Sequence, residues 1–356
     1  MENQIKIIDV KALKYNLEYI KSKLTQNTKL CIVLKDNAYG HGIKNILPIV
    51  EKYANYYAVA NINEAIELRQ LTNVPILTLC ECPTEKLHSI TQHNIDITIS
   101  SIQTLQSIIK LTCQNINVHI AIDTGMHRLG FNNLKDFKLA LKLILKHKNI
   151  HLIGIYSHIG DAHNNKRLSL QNAIFNKYYA LVKHLPIIAH IANSDTMHSN
   201  NTMQYNMVRV GINIYGYGNK NLLPVMSVYA KITHIKIINK NDYIGYGSQH
   251  NIKPHTKIAI INIGYGQGYL RSNEKFGYVI INNKLCKIVA NVCMDMIMVD
   301  ASNVKCKVGD YAVILGKQGN HNIDANLLAT FNSTIPYEIL TNFNLIKNST
   351  AVNGTE

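Results

Sequence analysis

The chain has no run of about 18 consecutive apolar residues, so nothing in it reads as a membrane-spanning helix. Residues 1–10 lack the apolar core and small-residue cleavage site of a secretory leader, and the cytoplasm is the expected compartment. The seven cysteines (31, 80, 82, 113, 286, 293 and 306) are odd in number, scattered, and form no C-x-x-C pair. That spacing offers no metal-ligand set and argues against a disulfide framework. No G-x-G-x-x-G follows the first apolar run, which removes the usual dinucleotide fingerprint.

Acidic residues are scarce: 22 Asp and Glu stand against 37 Lys and Arg, for a net charge of +15. The lysines are dispersed along helical patterns, as at 135, 138, 142, 146 and 148, and are not interleaved with stacking aromatics. That arrangement reads as a solvated basic surface, and neither a nucleic-acid nor a membrane partner is expected. Arginine is scarcer still. Only Arg69, Arg128, Arg167, Arg209 and Arg271 occur, and in so lysine-rich a chain arginine should persist where a planar, always-charged fork is needed.

What is present is a core: 356 residues, 47% apolar, enough for two domains. From about residue 29 to 216, short apolar runs alternate with amphipathic stretches. The runs are LCIVLK (30–35), YYAVA (56–60), PILTL (75–79), IDITIS (95–100), VHIAID (118–123), HLIGIYSH (151–158), IIAHIAN (187–193) and VRVGINIYG (208–216). Strands alternating with helices imply βαβ units and a parallel sheet. Eight in about 190 residues suit an α/β fold of the (β/α)8 TIM-like barrel type over residues 10–218, with a doubly wound open sheet as the competitor. Beyond residue 218 strand-like runs predominate, so residues 219–356 read as a mainly-β C-terminal domain, with residues 1–9 as a possible addition. Asn282-Asn283 reads as a tight hairpin, and IDANLLATF (323–331) as the one convincing late helix.

A barrel exposes its active site at the C-terminal strand ends. The first run ends in VLKDNAYGHG, delivering Lys35 into a turn with Asn37, Tyr39 and two glycines. Lys35 either snorkels to water or is an amine held in a pocket for Schiff-base or proton-transfer chemistry. Other strand ends carry Asp123-Thr-Gly-Met-His-Arg128, Ser157-His158, His190 with Asn193-Ser194, and Arg209 with Gly211. Several such groups at one rim favour a site over scattered structural residues.

In order and spacing, VLKDNAYGHG, IDTGMHRLGF, YSHIGDA, HIANSD, VRVGINIYG, IGYGQGYLR, NVCMDMIMVD and TIPYEIL resemble the motifs of the alanine racemases, from about residue 5 to 341. The resemblance implies a pyridoxal 5'-phosphate barrel, a C-terminal β domain and a homodimer with shared active sites acting on alanine. It implies that Lys35 is the Schiff-base lysine and that Tyr265 is the second acid–base group, reaching the barrel of the other subunit. It places His158, coupled to Arg209, as the cationic neighbour that tunes the Tyr265 phenol, and sets Arg209 against the cofactor's ring nitrogen. Tyr39, Ser194 and Tyr337 are implied as hydroxyl donors to the phosphate, with Asn193-Ser194 opening a helix there and backbone amides near Gly211 and Ile212 adding donors. Arg128 and the amide of Met294 are implied for the substrate carboxylate. Tyr246 and Tyr269 are implied to narrow the entrance.

The chain also departs from that family. Ala121 stands where many members carry a lysine that is often carbamylated, leaving Asp123 or a bound anion as candidates to hold Arg128. Gln267 replaces an aspartate, Ala290-Asn291 stands for Gly-Arg, and Met296 replaces a glutamine. The function expected is interconversion of L- and D-alanine for peptidoglycan. The alternatives are a racemase of broader specificity, a decarboxylase, against which Arg209 argues, or a cofactor-carrying protein without turnover.

Overall fold

The computed structural model describes residues 3–354, apart from residues 200, 249 and 276 and the side chain at 199. Strand β1 (Gln4–Asp9) opens it, and Asp9 caps the helix Val10–Ser22 by accepting from the Ala12 amide at 3.0 Å. Eight short strands follow: β2 (Lys29–Val33), β3 (Tyr56–Val59), β4 (Ile76–Glu81), β5 (Asp96–Ile99), β6 (Ile116–Ala121), β7 (Ile150–Tyr156), β8 (Ile188–His190) and β9 (Met207–Val210). All neighbouring pairs are parallel, in the order β8-β7-β6-β5-β4-β3-β2-β9. The two ends of this order meet. The amides of Asn206 and Arg209 donate to the carbonyls of Ala189 and Ala192 at 3.1 and 3.0 Å, bringing the sheet round on itself. Each of the eight expected runs contributes one of these strands, because only continuously apolar segments survive burial on both faces.

The helices between them read from the same physics. Leu134–Lys146 buries Phe137, Ala140 and Ile144, one stripe at helical spacing, and Asn133 caps it by accepting from the Asp136 amide. Asn61, Ser101 and Asn164 cap Ile62–Arg69, Ile102–Leu111 and Asn165–Tyr179 in the same way, each cap worth about 1 kcal/mol.

The second sheet is built on a long spine, β10 (Met226–Ile237). The chain then runs through β11 (Asp242–Ile244), β12 (His250–Ile252), β13 (Lys257–Ile261), β14 (Tyr278–Ile281), β15 (Lys284–Lys287), β16 (Ile297–Asp300), β17 (Tyr311–Gln318), β18 (His321–Ile323) and β19 (Ser349–Val352), all but β11 and β12 joining the sheet of β10. Alternate residues of β10 are buried over most of its length, as suits an antiparallel strand with one wet face. β11 and β12 form a separate two-stranded ribbon. β1 pairs antiparallel with β10 and parallel with β19, so the first strand lies in the second sheet. Asn282 and Asn283 both take positive φ (45° and 63°) in a two-residue hairpin joining β14 to β15.

Three local features differ from the sequence expectation. The last barrel strand ends at Val210, and Ile212–Tyr215 is a 3-10 turn, which re-aims the backbone at the barrel mouth. A second late helix, Pro336–Asn342, follows Ala325–Phe331; its start carries proline at the first position, where the missing amide costs nothing. Between Asp36 and Tyr39, four successive residues take left-handed φ of 52–58° before Gly40 continues at 79°. L-residues avoid that region by roughly 1–2 kcal/mol each, so surrounding contacts must hold the turn. Glu64 accepts from the Asp36 amide at 2.8 Å, and the buried Lys6 amine donates to the carbonyls of Gly40 and Phe343.

A candidate active site at the barrel mouth

The turn that follows β2 presents Lys35, half-buried, with Nζ 5.8 Å from the centre of the Tyr39 ring. Tyr39 is itself nearly buried, packed at 5.0 Å from Tyr215 and 5.8 Å from Tyr337. Its hydroxyl is admitted by a missing side chain: a Cβ on Gly211 would lie 2.4 Å from Tyr39 Oη. The Gly211 amide donates to Ser194 Oγ at 3.0 Å, and the first amides of the Ile212–Tyr215 turn have no acceptor within it. Hydroxyls of Tyr39, Ser194 and Tyr337 therefore gather with backbone amides on one wall. Burial raises the Tyr39 phenol well above its usual range, and burial followed by Asp195 pushes the Tyr337 phenol up to about 12, so both remain donors.

Asn193 caps a helix as expected, its Oδ1 accepting from the Thr196 amide and hydroxyl, but that helix, Thr196–Ser199, is a single turn. One turn has little macrodipole, so the donors on this wall are individual groups.

Arg209 lies across the barrel interior, 3% exposed. Nη1 donates to His190 Nδ1 at 2.7 Å and to the His190 carbonyl at 3.1 Å; Nη2 donates to the Ser157 carbonyl at 2.6 Å and faces His158 Nδ1 at 3.3 Å. Among the described residues no carboxylate neutralises it. Arginine has no acceptor, so both histidines must accept on Nδ1 and carry their proton on Nε2. Burial, then the cations Arg209, Arg128 and Lys35, lowers His158 to about 3. This corrects the expectation of a cationic His158. The imidazole is neutral, and the positive charge beside it belongs to Arg209.

Arg128 lines the same cavity from the loop after β6, with its side chain exposed. Asp123 is not its partner: Asp123 Oδ1 accepts from the amides of Gly125 and His127 at 2.9 and 3.0 Å, and Oδ2 faces His127 Nδ1 at 3.4 Å. Ala121 lines the cavity nearby.

Lys35, Tyr39, Arg128, His158, Asn193, Ser194, Arg209, Gly211, Ile212 and Tyr337 thus border one cavity. Tyr265 and Met294 do not. They sit together on the second sheet, where Tyr265 begins the turn Tyr265–Gln267 after β13 and Met294 lies in the loop before β16, 43% and 56% exposed. Tyr246 is exposed beside Met294, whereas Tyr269 is fully buried, its hydroxyl without a partner among the described residues, and lines no entrance. Histidine 190, seen in the sequence only as one more polar group at a strand end, holds Arg209 more closely than any other side chain does.

Residues 8–219 match the family model for the alanine racemase N-terminal domain and residues 225–348 that for the C-terminal domain. The chain belongs to the alanine racemase family. Within that family it is 36% identical over 344 residues to the alanine racemase of Vesicomyosocius okutanii, covering 94% of each chain. The crystal structure of the alanine racemase from E. faecalis superimposes with a TM-score of 0.92 at 28% identity, over 99% of this chain and 98% of that one. The alanine racemase of Bartonella henselae, solved with covalently bound pyridoxal phosphate, superimposes with a TM-score of 0.87 at 27% identity, over 99% and 100%. Alanine racemases are thus a pyridoxal-phosphate family built as this chain is, a barrel followed by a β-sheet region. No helix among the described residues is long and apolar enough to cross a membrane.

Proposed function

We propose that this chain interconverts L- and D-alanine with pyridoxal 5'-phosphate, using one acid–base group on each face of the substrate Cα, in a homodimer whose subunits complete each other's sites. The D-alanine would supply peptidoglycan. The observation that carries the reading is the charge of the cavity. Lys35, Arg128 and Arg209 border it, and the one bordering carboxylate, Asp123, is tied to its own loop. Such a cavity suits a ligand with a dianionic phosphate and a substrate with a carboxylate.

The residues present fit the cofactor. The wall of Tyr39, Ser194, Tyr337 and the Ile212 amide supplies phosphate donors, the Gly211 amide being held by Ser194 Oγ, and the space that a Cβ at 211 would fill is left to the Tyr39 hydroxyl. Lys35 would hold the aldehyde carbon. Arg209 would face the ring nitrogen; Nη1 and Nη2 are committed to carbonyls and imidazoles, whereas Nε has no partner among the described residues. When bound, the cofactor supplies an electron sink that makes the Cα–H of an attached amino acid acidic enough to remove.

Lys35 then has two tasks. Its amine would hold the cofactor until substrate arrives, and once free would take or return the Cα proton on its own face. Tyr265, delivered from a second copy of the chain, does the same on the other face, with the phenolate abstracting from L-alanine. A phenol of ordinary pKa near 10 needs a nearby positive charge to work near neutrality. Arg209 supplies that charge and His158 transmits it, since its Nε2–H points away from Arg209. Arg128 and the Met294 amide of the second copy would fix the substrate carboxylate and so orient the Cα–H toward one of the two acid–base groups.

The test is direct. The purified protein should show visible absorbance that borohydride bleaches, and both alanine enantiomers should exchange their α-proton with deuterium. No chromophore would overturn the cofactor reading. A chromophore with exchange of neither enantiomer would instead identify a carrier without turnover.

A further inference from the structure

The Tyr265 turn and the Met294 loop lie at the same end of the antiparallel pair β13–β16, where Ile261 faces Ile297. Their backbones touch without intervening side chains: a Cβ on Gly264 would lie 2.1 Å from the Cys293 carbonyl oxygen. The amides of Tyr265 and Gly266 donate to the carbonyls of Cys293 and Met294 at 3.2 and 2.8 Å. Both segments are exposed, and solvent competes with such bonds when nothing fixes them.

Two side chains bridge them: Asn262 Nδ2, just after β13, donates to the Asp295 carbonyl at 3.3 Å, and Gln267 reaches into both segments. Gln267 Oε1 accepts from the Gly264 amide at 2.9 Å, and Gln267 Nε2 donates to Asp295 Oδ1 at 2.8 Å. We infer that Gln267 is a positioning residue that locks the Tyr265 turn to the Met294 loop, so that proton-transfer phenol and carboxylate-binding amide move as one body. The bridge needs an acceptor and a donor on the same side chain, which among side chains of this length only a primary amide provides. Glutamate would keep the bond from Gly264 and set a second negative charge against Asp295. The aspartate common at this position in the family would do likewise and reach less far. The inference rests on the roles proposed for Tyr265 and Met294, and its test separates the two.

Amide hydrogen exchange in the cofactor-loaded protein reads the lock without reference to activity. Gln267→Glu should speed exchange at Tyr265, Gly266 and Cys293 together, by roughly 3–10-fold, and leave the β10 amides unchanged. The double variant Gln267→Glu/Asp295→Asn should restore slow exchange, because donor and acceptor are merely transposed. No change at these amides in Gln267→Glu, or no rescue in the double variant, overturns the lock.

Primary deuterium isotope effects on kcat/KM supply the functional arm. With a looser Tyr265, the effect for α-deuterated L-alanine should rise, and that for D-alanine should fall as reprotonation by Tyr265 becomes limiting. A general loss of folded enzyme moves neither. Faster exchange with both isotope effects unchanged overturns the link to proton transfer. Faster exchange with the reverse split keeps the lock and overturns the assignment of Tyr265 to the L-alanine face.

Discussion

Arg209 Nη1 donates to Nδ1 of His190 at 2.7 Å, and that single bond orders a line of side chains through the barrel. His190 must then donate from Nε2 to His119 Nδ1, 3.0 Å away. His119 in turn presents Nε2–H toward Tyr56 Oη at 3.4 Å and Asp96 Oδ2 at 3.7 Å, while Tyr56 donates to the same Asp96 oxygen. All five side chains are nearly or fully buried. The only carboxylate on the line lies two imidazoles away from the guanidinium, so the charge of Arg209 at the site is not cancelled locally.

Replacing Arg209 with glutamate should therefore change the products as well as the rate. A carboxyl group facing the ring nitrogen shares a proton with it and strengthens electron withdrawal into the ring. Among soluble, cofactor-loaded preparations, Arg209→Glu should release at least about tenfold more pyruvate per racemisation event, the substrate amine remaining on the cofactor. An unchanged ratio of pyruvate to racemised alanine would show that Arg209 does not govern the ring nitrogen.

Three buried histidines set the acid limit of stability. Burial and neighbouring cations lower His158 to about 3, burial lowers His41 to about 3, and His190 lies well below its ordinary value. A base whose folded pKa is depressed takes up a proton only on unfolding, so its contribution is intact above about 6.5 and is lost as pH falls toward 3. Urea midpoints should fall steadily from pH 6.5 to 4. His158→Gln should remove about 1.4 kcal/mol per pH unit of that slope. Identical slopes in the two proteins would show that His158 is protonated in the native state.

Gly211 and Tyr39 form a lock-and-key pair that a double variant can read. Gly211→Ala places a methyl group where the Tyr39 hydroxyl sits, and cofactor affinity should weaken about tenfold or more as the phenol is driven from its place. Tyr39→Phe in the same chain removes the closest atom and should recover part of that loss, although ring carbon Cζ remains 3.0 Å from the new Cβ. Strictly additive losses in fluorescence titrations with the cofactor would contradict this packing.

Much of this was legible before any coordinates. Continuous apolar runs located the eight barrel strands, and reading only their C-terminal ends collected Lys35, Arg128, His158, Ser194 and Arg209, which border one cavity. What escaped has a physical reason in each case. The left-handed turn at 36–39 contains no glycine and is imposed by Glu64 and Lys6, contacts distant in sequence. The helix Pro336–Asn342 has no side-chain cap of the kind Asp324 gives the equally short Ala325–Phe331, so Pro336 alone marks its start. Tyr56, Asp96 and His119 looked like ordinary members of apolar strands, because a polar layer inside a barrel alternates with the same period as a core layer. Tyr269 is an aromatic that packs inward where an entrance position was expected.

The central claim is that Lys35 of one chain and Tyr265 of another serve one substrate. Lys35→Ala and Tyr265→Phe, each nearly inactive alone, should be co-expressed with different tags. If sites are shared, each mixed dimer regains one site with both groups native and one with neither. A random mixture then holds half mixed dimers and recovers roughly a quarter of native activity per chain, and isolated mixed dimers about half. Mixed dimers that bind cofactor yet recover no racemisation above the parents would contradict the account.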